Sequence, residues 1–538
     1  MILNTTEHIS RYPESFKKKY YKNFIDLRKD FTNWVDSIGQ KNNLDWWVSI
    51  PASRNQYISQ LYSNFCLIET LKEIKSKNSI EHIIVESQAL KKIIEKNLKV
   101  KLKIIVKKKK NIKNLLLIVR TFFFQIIIHI FCKFISVKKL SKKKKLILID
   151  TFIIDEDLNN NKFYHKELIK ISKEKNNIFF VPTFAIYSTT NLVKVFKTIF
   201  RCSVAKNFLL REQYLNLSDI LNSFLFIFRR KKFIKRYKKL KNIDYSSIIN
   251  NEINQNHNLT NQLIGLQNYS FFKNLFYSQI KIKKVINWAE NQSLDKGWNY
   301  GSRSFYPKAI SLGYQGFTFF PQYMSLTPSK SEYDSKVVPE TLLSIGKIFN
   351  KTKKEFCKYI KVKTVPALNF QHLFKQKHVV GPKNKSVLII LSGFLQDDIN
   401  LIKWCIKSNL HKKNIKIQIK EHPILQINII KNYLTFFPDN YLITKKNFSD
   451  SINSSQFLIC SGVTSGILEI IIQKRFVIIP KLSPFDNLIF SKLNIRKNFK
   501  VLDKPADLDN CLRDFPTYYY NKSPFFTKLT RKNIKIFV

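Results

Sequence analysis

Residues 386–423 read SVLIILSGFLQDDINLIKWCIKSNLHKKNIKIQIKEHP. An apolar run, Ser386–Leu391, is followed by a small polar turn, a helical stretch around Leu401–Ser408 and a second apolar run, Ile415–Ile419. Short apolar runs bounded by turn residues read as buried strands. Tyr441–Thr444, Gln456–Cys460 and Phe476–Ile479 continue the rhythm. The first half carries a looser version of it, in Ile83–Val85, Leu146–Ile149, Ile178–Val181, Val285–Trp288 and Ala309–Leu312. Strands alternating with helices argue for parallel βαβ units, so the chain is expected to be α/β with two doubly wound domains. The division expected is 1–334, a connection over 335–384, a second domain over 385–510 and a tail, 511–538.

The chain has 538 residues, with 93 Lys and Arg against 38 Asp and Glu, a formal charge of +55. Hydrophobic residues at 44% oppose wholesale disorder, and only 11 Gly and 16 Pro exclude a collagen-like or linker-dominated chain. The abundance of Lys, Asn, Ile and Phe looks like drift towards AT-rich codons. Even so, this much positive charge implies anionic partners: nucleic acid, an acidic membrane or phosphorylated substrates. Seven dispersed Cys with no CxxC pair read as reduced thiols and argue against a zinc site. Met1–Tyr20 is polar and lacks the apolar core of a secretion signal.

Residues 101–145 hold 14 Lys, one Arg and no acid around an apolar run, Leu115–Val137, in which 17 of 23 positions are apolar. Thr121, Gln125, His129 and Lys133 interrupt it at i+4 spacing and draw a polar stripe along a helix. Such a helix suits a membrane interface, with Lys107–Lys110 and Lys142–Lys145 on anionic headgroups. A span would bury Gln125 and His129 near the bilayer centre, and a core helix with a satisfied polar seam is the third reading. Arg229–Lys241 adds nine cations without an acid, after apolar Ile220–Phe228. A charge run is ordinarily a solvated face, yet two apolar–basic elements favour a shared side facing an anionic membrane.

Ligands of open parallel sheets bind beyond the carboxyl ends of strands. Lys420-Glu421-His422-Pro423 follows one strand, and Pro423 suits the first turn of a helix, which would set His422 beside a phosphate-favouring N-terminus. Ser461-Gly462-Val463-Thr464-Ser465-Gly466 follows another, and its small hydroxyl residues let backbone approach an anion, with Glu469 placed for a sugar hydroxyl. Each turn is also an ordinary helix cap; two in one domain favour a phosphate-bearing ligand. In the first half, Glu290, Asn291, Gln292, Asp295, Trp298, Arg303, Tyr314 and Gln315 gather with four glycines inside 20 residues. They read as a sugar cleft with Glu290 as general base, or else as a structural loop anchored by buried Trp.

Together these residues resemble a known family. The run WAENQ…DKGWN…GYQG, leading into Pro328-Ser329-Lys330-Ser331-Glu332-Tyr333, looks like the central region of bacterial surface-carbohydrate (capsule or O-antigen) biosynthesis proteins. KEHP and SGVTSGILE are similar to the HP and serine motifs of GT-B glycosyltransferases that use CMP-activated sialic-acid or Kdo-type sugars. The resemblance implies two Rossmann-type domains facing a cleft, to which the basic and apolar pattern above adds a membrane-associated insertion at 107–145. It implies a nucleotide-sugar donor, CMP-sugar favoured, on Glu421, His422, Ser461, Gly462, Thr464, Ser465 and Glu469, with His422 also catalytic. The acceptor, a glycan or lipid-linked sugar, would meet the first domain, and neither metal nor cofactor is demanded. The acidic-acidic-Gly motif of sialyltransferase relatives has no clean copy here, and Asp155-Glu156-Asp157 reads as surface.

The expectation is thus a glycosyltransferase of surface-polysaccharide assembly on the cytoplasmic face of the inner membrane. A non-catalytic membrane scaffold of the same machinery is the rival. Nucleic-acid binding has no Walker loop, zinc spacing or basic-aromatic sheet motif behind it.

Overall fold

The computed structural model describes residues 2–5, 12–56, 58–74, 82–98, 103–106, 112–135, 138, 140–153, 164, 166–184, 192–318, 323–374, 385–423, 425–464, 466–473, 475–482, 499–513 and 525–538. Asp155-Glu156-Asp157, Lys107–Lys110 and Ser465 lie outside them. The chain divides into two compact units, one of residues 1–6, 22–369 and 526–538, the other of 7–21 and 370–525.

The first unit holds two sheets. The smaller pairs β1 (Ile2–Asn4), β2 (His82–Val85) and β3 (Lys103–Val106) in parallel. The larger is built from β4 (Lys145–Ile153), β5 (Ile178–Phe184), β6 (Lys281–Trp288), β7 (Ile310–Gln315), β8 (Thr341–Ser344) and β9 (Lys361–Thr364). Its order is β5-β4-β6-β7-β8-β9, parallel throughout. The order reverses between β4 and β6, which makes their carboxyl ends the switch point where such sheets take ligands. The apolar face of β4 and β6 packs with Phe271, Phe272, Leu275 and Trp298 in one core.

The second unit has a single six-stranded parallel sheet of β10 (Ser386–Ile390), β11 (Lys416–Lys420), β12 (Tyr441–Ile443), β13 (Phe457–Cys460), β14 (Val477–Pro480) and β15 (Phe499–Leu502). The order β12-β11-β10-β13-β14-β15 is the doubly wound order of dinucleotide-binding sheets. Every residue of β10, β13 and β14 is buried, as their uninterrupted apolar runs require of strands covered on both faces.

Two expectations are corrected. The connection placed over 335–384 belongs largely to the first unit, because β8 and β9 extend its sheet and the unit runs to Asn369. Part of the tail 511–538 also returns to the first unit: Thr527 N–H donates to Ile345 O (2.8 Å), and Lys284 Nζ donates to Ile536 O (2.7 Å).

The apolar helix Ile112–Phe134 is amphipathic with its faces reversed from a water-borne helix. Its polar stripe turns inward: Gln125 Oε1 accepts from Gln267 Nε2 (2.7 Å), Thr121 and His129 are buried, and Lys133 Nζ donates to Gln213 O (2.9 Å). Burial, helped by Lys133, lowers the His129 pKa and keeps the ring neutral. The face left outside carries Leu116, Val119, Phe123, Ile127, Ile130 and Phe134, the last 86% exposed. All seven cysteines are buried free thiols.

Candidate functional site

In the second unit three strand ends lie level. Ile390 at the end of β10 is in register with Lys420 of β11 on one side and Cys460 of β13 on the other. The next residues of each strand therefore meet at the switch point: Ser392-Gly393 from β10, Glu421-His422 from β11 and Ser461-Gly462 from β13. Gly393 has φ +85°, and a Cβ there would sit 2.4 Å from His422 Nδ1, so only glycine lets the imidazole lie against the β10 turn. Asp398, from the helix Leu395–Lys407, holds the turn by accepting from Ser392 N (2.6 Å), Ser392 Oγ (2.8 Å) and Gly393 N (2.9 Å). His422 is half-buried, which lowers its pKa and favours the neutral ring. Burial pushes the neighbouring carboxyls up instead, Asp397 to about 7 and Asp398 to about 6.

The local geometry departs from the expectation at the KEHP turn. Pro423 does not open a helix; Leu425 N–H donates to His422 O (3.1 Å) in a tight turn, and the helix Ile427–Lys431 follows. Glu421 Oε1 accepts from Ile427 N (2.6 Å), so its carboxylate caps that helix. In the serine turn, Ser461 Oγ accepts from Val463 N (3.4 Å) and Thr464 Oγ1 from Gly466 N (3.2 Å). The hydroxyls thus act as acceptors to their own turn. Glu469, in the helix Gly466–Ile472, lies 3.3 Å from His372 Nε2.

The first unit's switch point is acidic and buried. Asp150 on β4 is 1% exposed. Burial pushes its pKa up to about 7, against the pull of the Arg211 guanidinium. Asp295, raised well above the usual range by burial and by Asp150, accepts from Gln292 N (3.0 Å) and Glu290 N (3.1 Å), closing the cap of the helix Ser293–Phe305. Glu290 is partly buried with a raised pKa, as a base requires, but Trp288 Nε1 (2.8 Å) and Gln292 Nε2 both donate to it.

A carboxyl raised by folding stabilises the fold below its unfolded pKa, and that contribution is lost as pH rises through the folded value. For Asp150 the window runs from about 4 to about 7. Asp150→Asn is expected to remove this slope and, above pH 8, to gain up to roughly 4 kcal/mol over the native chain. Thermal unfolding across pH 4–9 checks it; parallel slopes in the two proteins would sink the assignment.

The other residues expected to bind an acceptor make contacts within the fold. Trp298 and Tyr314 are core side chains, 1% and 0% exposed, and offer no ring face to a sugar; the Tyr314 hydroxyl donates to Pro366 O (3.1 Å). Gln315 is buried between Leu326 O and Lys353 Nζ. Arg303 Nη1 donates to Val338 O (2.9 Å) and Tyr333 O (3.2 Å), tying two loops. Asn291, at φ 59°, donates to Ser325 O (2.9 Å) and to Glu332. Glu332 is the hub of a fully buried cluster, paired with Arg54 Nη2 (2.5 Å) and with Lys296 Nζ.

The four clustered glycines serve packing as well. A Cβ on Gly297 would lie 1.6 Å from Gly265 O, where Ser293–Phe305 meets the helix Leu259–Tyr277. One on Gly313 would meet Pro339 at 2.5 Å, one on Gly316 the rings of Trp288 and Tyr314 at 2.5 Å, and one on Gly301 the backbone of Tyr269 at 3.0 Å.

Sequence reasoning missed Ser392, Gly393, Asp398, Asp150 and His372. For the first three a signal existed, since a small-residue turn follows the β10 run and an acid sits in the first turn of the next helix; Asp150 and His372 had none. A polar cavity of about 510 Å³ in the first unit, between Lys41, Asp45, Arg229, Lys273 and Tyr300, lies outside both sets of site residues. There Arg229 is held bidentately by Asp45 at 2.8 and 3.0 Å.

No protein-family model matches the chain, and no curated protein matches it. Among solved structures it is similar to MurG of Acinetobacter baumannii, at 10% identity and TM-score 0.35, over 69% of this chain and 91% of that one. It is likewise similar to S. aureus MnaA with UDP, at 10% identity and TM-score 0.39, over 69% and 88%. A Rickettsia africae glycosyltransferase gives 12% identity and TM-score 0.34, over 69% and 89%. Likenesses this distant carry no argument about what the chain does.

Proposed function

We propose that the chain is a GT-B-type glycosyltransferase of bacterial surface-polysaccharide assembly, working on the cytoplasmic face of the inner membrane. It would move a sugar from a nucleotide-sugar donor, a CMP-sugar by preference, to a lipid-linked or polysaccharide acceptor. The observation that supports this reading is the meeting of His422, Gly393 and Ser461-Gly462 at the switch point of a sheet with the dinucleotide-binding strand order.

The roles follow from the chemistry of these groups. A neutral half-buried imidazole can donate one ring N–H to a phosphate oxygen and strengthen that bond as charge develops on the leaving nucleotide. Ser461 and Thr464 accept from backbone, which leaves each hydroxyl proton for the same phosphate. Gly462 allows the backbone close approach. Charge stabilisation is then left to side chains and backbone, and transfer is expected to survive EDTA. The first unit would take the acceptor, with Glu290 as base only once a substrate displaces the Trp288 and Gln292 donors. That engagement of Glu290 favours the second reading, a scaffold that binds without turnover.

Thermal shift with a panel of CMP- and UDP-sugars tests the proposal. A ligand at about 100 times its Kd stabilises the unit by roughly 2.7 kcal/mol. CMP-sugars are expected to give such a shift in the native chain, and His422→Ala to weaken it by about tenfold or more in Kd. No shift with any nucleotide sugar, together with intact glycan output from His422→Ala, defeats the enzyme reading. Binding without transfer leaves the scaffold.

A further inference from the structure

Helix Ile112–Phe134 is packed on two other helices that also turn apolar side chains outward. Phe131 contacts Phe196 of the helix Leu192–Val204 (ring centroids 4.5 Å), and Phe122 contacts Phe224 of the helix Leu217–Phe224 (4.8 Å). The first of these neighbours buries Val195, Ile199 and Cys202 and leaves Val193, Phe200 and Val204 outside, all more than half exposed. The second buries Ile220 and Phe224 and leaves Leu217 and Leu221 outside, a stripe continued by Leu225 and Phe228. Six exposed apolar residues on the central helix and seven on its neighbours far exceed the scattered surface apolars of a water-borne protein.

Cations border the same helices. Lys197 and Arg201 are exposed on the first neighbour, and Arg120 on the central helix. Lys231 Nζ lies 5.8 Å from the Phe228 ring centroid, at the start of the basic tract. Part of that tract is engaged with the protein, Arg229 and Lys232 on Asp45, Arg230 on Asn256 (2.7 Å), Arg236 on Asp244 and Lys241 on Asp30; Lys231, Lys235, Lys238 and Lys239 are exposed. Apolar stripes edged by lysine and arginine complement a bilayer with anionic headgroups, whereas a second copy of this cationic face would bring like charges together.

We infer that the three-helix face formed by Ile112–Phe134, Leu192–Val204 and Leu217–Phe224 is a monotopic seat on an anionic lipid bilayer. The central helix lies in the interface and does not cross it. Its inner side is bonded to folded elements, through Gln125 to Gln267 and Lys133 to Gln213, and a crossing would drag those elements into hydrocarbon. The inference deepens the membrane location in the proposed function and is independent of its chemistry.

Co-sedimentation of the full chain with phosphatidylcholine vesicles, with and without phosphatidylglycerol, tests it. The native chain is expected to pellet with the mixed vesicles, and added salt to weaken that binding. Phe123→Gln/Ile127→Gln/Phe134→Gln keeps the charge and changes only outward side chains; it is expected to weaken vesicle binding at least about tenfold. Val193→Gln/Phe200→Gln/Phe228→Gln is expected to do the same from the neighbouring helices. A native chain that stays in the supernatant, or either variant binding as well as the native chain, overturns the seat. So does a native dimer that the first variant converts to monomer, which would make the occupant a second copy. Thermal shift with nucleotide sugars, run on both variants, separates this failure from failure of the catalytic proposal.

Discussion

Gly297→Ala is expected to destabilise the first unit by at least about 3 kcal/mol, more than alanine at any other described glycine. The added carbon would stand 1.6 Å from Gly265 O and 2.3 Å from Gly265 C. Both are backbone atoms inside a helix, so no rotamer change relieves the overlap. The two helices would have to separate across the layer where Phe271, Phe272 and Trp298 pack, opening space around the largest side chains of that core. The remaining glycines set a scale. Gly265→Ala meets Ser293 O at 2.4 Å and Gly301→Ala meets Tyr269 Cα at 3.0 Å, while Gly39→Ala finds its nearest neighbour at 3.3 Å. The loss on thermal unfolding is expected to fall in the order 297, 265, 301, 39, the last within about 1 kcal/mol. A Gly297→Ala protein as stable as the native one would mean that the helices do not meet there.

The second large effect belongs to Glu332. Burial alone would raise its carboxyl, but Arg54 and Lys296 outweigh it and hold the pKa below the usual range, so the group is ionised. Glu332→Gln leaves two fully buried cations facing a neutral amide and is expected to cost about 3–5 kcal/mol in denaturant unfolding of the first unit. The loss carries a chemical signature. Replacing the whole cluster with Arg54→Met/Lys296→Met/Glu332→Leu is expected to recover most of it, since no charge then remains to be buried. If the triple variant is as unstable as Glu332→Gln, the cluster is holding its loops by shape and not by charge. The same carboxylate accepts from Ser329 N (2.8 Å) and Asn291, so part of the cost is the loosening of the loop after Leu326.

The strands of the second unit were legible because their burial on both faces forces continuous apolar runs. In contrast, β9 reads KVKT, and its mostly exposed residues give an edge strand no apolar signature. That is why the first unit's outer strands read as a connection in the sequence. The serine and KEHP turns were found because strand ends in a parallel sheet are predictable in kind. What brings them together, the register of β10 with β11 and β13, is a long-range property that spacing along the chain does not carry. The glycine cluster misled in a specific way. Glycine marks close approach of something to backbone, and sequence does not say whether that is a ligand or, as here, another helix or an aromatic ring. Helix Ile112–Phe134 has the same ambiguity: its period separates a polar from an apolar face but carries no sign for which is inside.

The chain order of the first unit has a consequence for how the protein is made. Its sheet is begun by residues near 145 and its packing is finished by 526–538, where Phe537 sets its ring edge-on to Tyr314 at 5.3 Å. All of residues 370–525 leave the ribosome in between. During synthesis the second unit's sheet can close first, while the earlier-made unit waits with Tyr314 and Lys284 uncovered for the last segment of this sequence to arrive. A nascent chain arrested with residue 525 just clear of the exit tunnel would thus be complete in its later half and open in its earlier one, the reverse of the usual vectorial order.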